Sequence, residues 1–145
     1  MAGQTQVNGF NGHAKSRSYV GKTITGITID YGVNGTDFSS AAETGAGGAH
    51  TQIVQKLQQY GTIAMMSALR SDGSNDGQIF DVFYEGEFGT DTYDGSTSQA
   101  FHAFVQAEIR AETSIGAGSV NLSSAAVTAM SGSPWKAEDA EGGTV

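Results

Sequence analysis

Residues 98–112 read SQAFHAFVQAEIRAE, and the fold class turns on whether they form a helix or a strand. Strict alternation would place Phe101, Ala103, Val105, Ala107 and Ile109 on one face, whereas a repeat of about 3.6 residues groups Phe101, Phe104, Val105 and Ile109. The helical reading keeps Phe104 with the other large apolar side chains, and Ala, Gln, Glu and Arg all favour helix over strand. A helix is therefore expected here.

Upstream, residues 78–88 (QIFDVFYEGEF) alternate, with Phe80, Val82, Tyr84 and Phe88 on one side, which is the pattern of a half-buried strand. Residues 62–69 (TIAMMSAL) are nearly all apolar and suit a strand covered on both faces. The polar run between them, residues 71–77 (SDGSNDG), is a hairpin loop. Earlier still, Thr51 can cap a short helix with Ile53, Val54, Leu57 and Tyr60 on one face, and Gly61 stands where a left-handed C-terminal cap belongs. Residues 23–31 (TITGITIDY) alternate and read as a strand, followed by a long polar, glycine-rich connector over 32–48 that is expected to be exposed. Downstream of the deciding stretch, residues 119–130 can close the sheet as a last strand, although 123–131 also admit a helical turn.

Strand, helix, strand, strand, helix, strand is the order of a compact ferredoxin-like split β-α-β sandwich, an α+β fold. Were 98–112 a strand, the chain would instead be a β-sandwich with one helix. The globular domain is expected over 23–134. Ahead of it, residues 1–22 carry Lys15, Arg17 and Lys22 with no acid, and a few scattered apolar side chains, Val7, Phe10, Tyr19 and Val20. This is an extended basic arm. Behind it, Gly132-Ser133-Pro134 breaks the chain, and residues 135–145 form an acidic tail with Trp135 as its aromatic anchor.

The 145 residues make one domain's worth of chain, and 21 glycines with a single proline exclude a collagen repeat or a proline-rich linker. Seven Lys and Arg against fifteen Asp and Glu, a net charge of -8, argue against nucleic acid or an anionic membrane as the main partner. The absence of cysteine removes disulfides, thiol catalysis and thiolate metal sites together. No apolar run approaches the roughly 18 to 20 residues that cross a bilayer, and the start lacks a basic region followed by an apolar stretch, so a soluble, unprocessed chain is expected.

Few residues offer chemistry. Asp72, Ser74 and Asp76, with Gly77 sixth in the run from Asp72, match the opening of a calcium loop, but Phe83 stands at the twelfth position where a bidentate Glu is needed. They are weak metal candidates within what reads as an ordinary turn. A second acidic loop spans Asp91, Tyr93 and Asp94. Gly45-Ala46-Gly47-Gly48 precedes a helix but lacks the lysine of a phosphate loop, so it reads as a helix lead-in. His13, His50 and His102 have no partner at metal-ligand spacing, and His50 is expected to help cap the first helix. Asp81, Glu85 and Glu87 share one strand face opposite the aromatics; a glycosidase pair would need two of them about 5 to 10 Å apart in a cleft, and the solvated side of a sheet explains them better. With no nucleophile elbow and no cofactor motif, the expectation is a non-enzymatic protein without cofactors.

Most aromatics lie at core spacing, but Phe38, Tyr93 and Trp135 lie in polar stretches and join Phe10, Lys15, Arg17 and Tyr19 of the arm as subunit-contact candidates. In composition and layout the chain resembles small virion structural proteins of tailed bacteriophages: capsid decoration, knob or tail proteins rich in Gly, Ser, Thr and Ala that carry extended arms. The resemblance implies a capsid decoration or cement subunit located in the virion, a homo-oligomer in contact with other virion proteins, with a tail or tail-tube component as the nearest variant. It assigns no residue a role. A different class, a surface carbohydrate-binding module, would use the loops at 72–77 and 91–95 with Tyr93 against a glycan.

Overall fold

The computed structural model describes residues 21–32, 48–70, 78–93, 95, 97–112 and 121–136. Their elements run β1 (Thr23–Asp30), α1 (Ala49–Leu57), β2 (Ile63–Met66), β3 (Ile79–Glu85), β4 (Thr90–Asp91), β5 (Gln99–Ala100), α2 (Phe101–Arg110), β6 (Ala126–Ala129) and β7 (Trp135–Lys136). The fold is α+β. One antiparallel sheet has the order β2-β3-β1-β6, β7 pairs with the start of β1 on the same side as β6, and β4 with β5 forms a separate two-stranded ribbon.

Alternation along the two central strands decides where the core lies. Ile27 and Ile29 of β1 and Phe80, Val82 and Tyr84 of β3 are all at most 1% exposed and pack with Ile53 and Leu57 of α1 and with Phe101, Phe104, Val105 and Ile109 of α2. Both helices thus cover one face of the sheet. The four buried residues of α2 are those that the helical spacing groups, so the one-helix β-sandwich reading of 98–112 falls. Two large rings explain the outcome: Phe101 meets Tyr84 edge-on at 5.0 Å and Phe104 meets Tyr60 at 5.2 Å, and alternation would have sent Phe104 to the far side.

β2 lies at the edge of the sheet and is only half-buried, because it has a neighbour on one side alone. A register shift between Ile63 and Met65 sends Ile63 and Met66 toward the helices and Ala64 and Met65 to the opposite face. At the other side of the sheet, α2 covers the outer edge of β6: the Gln106 Oε1 accepts the Val127 N–H at 3.0 Å, and the Arg110 guanidinium donates to the Ala125 carbonyl. Those bonds occupy backbone groups that a foreign strand would otherwise use.

Both ends of α1 depart from the sequence expectation. The helix begins at Ala49 with Gly48 as its N-cap, and the Gln52 N–H already bonds the Gly48 carbonyl at 3.0 Å, so Thr51 is a residue of the first turn and not the cap. It ends at Leu57, and Gly61 does not adopt a left-handed conformation. The Tyr84 hydroxyl donates to the Leu57 carbonyl at 2.7 Å and so satisfies one of the terminal acceptors from across the core. Gly61 serves a different need, since a Cβ there would stand 2.9 Å from the Phe88 ring.

The domain boundary drawn before residue 135 cuts through the sheet: Trp135 and Lys136 pair with Ile24 and Thr23. Residues 1–20 and 137–145, the greater part of the two terminal segments, lie outside the described residues, as does most of the 32–48 connector.

Candidate functional site

The face of the sheet that no helix covers among the described residues is built by the alternate positions of the same strands. β1 presents Ile24, Gly26 and Thr28 there, and β3 presents Asp81, Phe83 and Glu85. Ile24 is 0% exposed and Phe83 2%, packed by the half-buried side chains of Ala64, Met65, Met130 and Trp135. Trp135 lies back over the sheet, with its ring centroid 6.3 Å from that of Phe83.

Residues 130–136 hold this arrangement through the gap that β6 and β7 leave along β1. Met130 donates its N–H to the Gly26 carbonyl at 3.1 Å, and the Gly26 N–H bonds to the Ser133 Oγ at 2.8 Å. A left-handed Gly132 (φ +79°) turns the chain between them. Gly26 itself is required by close approach: a Cβ at this position would stand 2.7 Å from both the Met130 Sδ and the Trp135 ring. Beside the same gap a cleft of about 230 Å³ opens, walled by Gly26, Phe88, Phe101 and Ser133, with His102 as the one titratable side chain among the described residues that line it.

Charges ring the apolar centre, and they are paired within the chain. The Arg70 guanidinium reaches both oxygens of Asp81 at 3.0 Å each, the Thr28 hydroxyl donates to the Asp81 Oδ1 at 2.8 Å, and the Lys22 ammonium lies 3.0 Å from Glu85. Asp81 and Glu85 share the face that alternation predicts, but Phe83 shares it with them and Glu87 does not. Phe83 stands between Asp81 and Glu85, which are four residues and about 13 Å apart along the strand, while Glu87 lies past the end of β3 behind Gly86 (φ +124°). The solvated side expected around them is instead partly apolar. That separation along β3 also exceeds the span of a glycosidase pair.

The remaining candidates scatter. Tyr93 packs on Phe101 (5.4 Å) and Phe104 (4.9 Å) at the margin of the helix-side core; burial, with Asp91 nearby, raises its pKa. His50 does not cap α1. Its ring fits between Phe80 (4.7 Å) and Tyr31 (6.1 Å), its Nδ1 is buried with no hydrogen-bond partner among the described residues, and burial lowers its pKa. Where α1 and α2 meet, Lys56 pairs with Glu112 at 3.3 Å, and burial together with Glu108 and Glu112 pushes the Tyr60 phenol well above its usual range. Among the described residues no group of three His, Asp or Glu is placed to hold a metal ion. Asp72, Ser74 and Asp76 lie outside the described residues; the residues flanking that loop, Arg70 and Ile79, exchange backbone hydrogen bonds at 2.8 and 3.0 Å, as at the base of a hairpin. Phe10, Lys15, Arg17, Tyr19 and Phe38 also lie outside them.

Of the residues singled out from sequence, then, Trp135 and the flanking carboxylates Asp81 and Glu85 meet on one surface. Gly26, Met65, Met130 and Ser133 complete it without having been singled out. Their one local signal is the turn chemistry of residues 130–135 (MSGSPW), which marks a reversal but not its destination.

Compared with protein-family models, with curated proteins and with solved structures, the chain matches none.

Proposed function

We propose that the chain is a non-enzymatic structural subunit of a virion, a capsid decoration or cement protein that works in many copies, with a tail or tail-tube component as the nearest variant. The observation that carries this reading is the segregation of charge. Residues 1–22 hold three bases and no acid, whereas the remaining residues hold four bases against all fifteen acids. Opposite charges on the start and the body of each copy favour head-to-body contacts between copies, with electrostatics setting register and encounter rate more than affinity. A chain whose largest charge contrast is with itself is suited to polymeric or ring-like assembly.

The same reading takes the antiparallel order β2-β3-β1-β6, with a helix after β1 and another after β3, as a ferredoxin-like split β-α-β domain to which β7 and the β4–β5 ribbon are additions. A domain of this kind, covered by helices on one side, has a second side available to neighbours.

Light scattering of the full chain across a concentration series tests the function. A defined oligomer or polymer is expected, and the double variant Lys15→Glu/Arg17→Glu is expected to shift it to monomer with an unchanged circular dichroism spectrum. A chain that remains monomeric at every concentration would overturn self-assembly.

A further inference from the structure

We propose that His50 makes the first turn of α1 a pH-operated latch: protonation of its ring expels it from the core, and residues 48–52 come away from the sheet while β1 and β3 stay paired. The inference concerns the folded chain itself and stands whether or not copies assemble.

Three features of the turn converge on it. The imidazole pins the turn to the sheet, edge-on to Phe80 at 4.7 Å and stacked on Tyr31 at 6.1 Å, two rings of the central core. Its Nδ1 is buried with no hydrogen-bond partner among the described residues, whereas an imidazolium carries a proton on both nitrogens and needs an acceptor for each. The charge would also stand at the positive end of the helix. Gly48, the N-cap, has no side chain to offer the first-turn amides, and the first turn holds no acid, so nothing there offsets the repulsion.

The elements around the ring supply no counter-charge either. On β1 its neighbour is Tyr31; Asp30, one residue earlier, falls on the opposite side by alternation and accepts the Gly32 N–H. On β3 the neighbours of the slot are Phe80 and the uncharged Gln78, whose carbonyl accepts the Tyr31 N–H, while Asp81 and Glu85 lie on the helix-free face, paired with Arg70 and Lys22. α1 has no acid, and its one base, Lys56, stands in the last turn beside Glu112. Release can stop within the helix. The next fully buried side chains of α1, Ile53 and Leu57, hold its remainder in the core, so the first turn can open alone.

The direction in pH follows from burial, which lowers the pKa of His50 from 6.5: the latch is closed at neutral pH and opens as the pH falls below about 6.5. At pH 5.0, 1.5 units lower, linkage caps the effect of one histidine at about 30-fold.

The test is amide hydrogen exchange of the full chain by NMR at pH 7.5 and 5.0, corrected for the intrinsic pH dependence of exchange, with the His50 ring titrated in the same samples. Protection at Gln52, Ile53 and Val54, whose helical acceptors are the carbonyls of residues 48–50, is expected to fall about threefold or more at pH 5.0, with β3 unchanged. Two non-titrating variants, His50→Phe and His50→Gln, are each expected to show no such fall between the two pH values, whatever their protection at pH 7.5, and His102→Gln to respond as the wild type does. Unchanged protection in the wild type while the His50 ring takes up its proton would overturn the latch, since the imidazolium would then be held in place by the two aromatic rings. An equal fall in both His50 variants, or one that extends through β3, would overturn it as well.

Discussion

The two faces of one sheet are finished by different means. On one, Ile27, Ile29, Phe80, Val82 and Tyr84 are buried under two amphipathic helices whose own apolar faces are complete. On the other, Ile24 and Phe83 are buried nearly as deeply, yet the described side chains around them are an edge strand's Ala64 and Met65 and the returning Met130 and Trp135. Burial alone therefore does not distinguish a core from a surface; what distinguishes them is the number of partners that would have to move to expose the residue. Among the described residues, the core face is held by two helices, and the helix-free face by an edge strand and one folded-back segment.

The sharpest way to break this comparison is to empty each face in turn. Phe80→Ala is expected to cost about 3 to 5 kcal/mol in urea unfolding. Phe83→Ala is expected to cost less, because Trp135 and Met65 at a half-open rim can relax into the space. Equal losses at the two positions would show that the faces are equally rigid. Gly26→Ala comes next, at about 1 to 3 kcal/mol, since the new Cβ must displace the Trp135 ring or the Met130 sulfur. As Trp135 is the single tryptophan, a red shift of its emission would report the displacement directly.

Two smaller effects refine the helix side. Tyr84→Phe removes the hydroxyl that donates to the Leu57 carbonyl and is expected to cost about 0.5 to 1.5 kcal/mol in thermal or urea unfolding, through fraying of the end of α1. The smallest effect concerns pH. Burial holds the His50 pKa below 6.5, so the unfolded chain binds a proton that the folded chain resists. Its contribution is complete above about pH 6.5 and is lost as the pH falls below that toward the folded value. The Tm of the wild-type chain should thus drop between pH 7.5 and 5.5 by more than that of His50→Phe; equal drops would show that the imidazole is not the group responsible.

Much of the helix side was legible in sequence. Phe101, Phe104, Val105 and Ile109 on one helix, Ile53, Val54 and Leu57 on another, and the alternation of Phe80, Val82 and Tyr84 are local periodicities, and each element buries the face that its own period defines. The ends of α1 were not legible in the same way. Thr51 and Gly61 fit the local grammar of caps, but the helix starts earlier at Gly48 and stops earlier at Leu57, where a tyrosine 27 residues away supplies the capping hydroxyl. The candidate surface was less legible still. Alternation assigned Asp81, Glu85 and Glu87 to a solvated face, but it does not say that Phe83 between them would be covered, because Trp135 sits 52 residues further along the chain.

By itself the sequence determined that the stretches holding β1 and β3 become strands and that holding α2 a helix, which side of β3 and α2 turns inward, and that basic and acidic residues are segregated along the chain, since all three depend on residue type and short-range spacing alone. Only the tertiary structure decided why Gly26 and Gly61 must lack side chains, where α1 ends, and that residues 130–136 fold back as the cover of the second face. Those outcomes are set by contacts between residues far apart in sequence, such as the Gly26 amide and the Ser133 hydroxyl at a separation of 107, and no local period carries their signature.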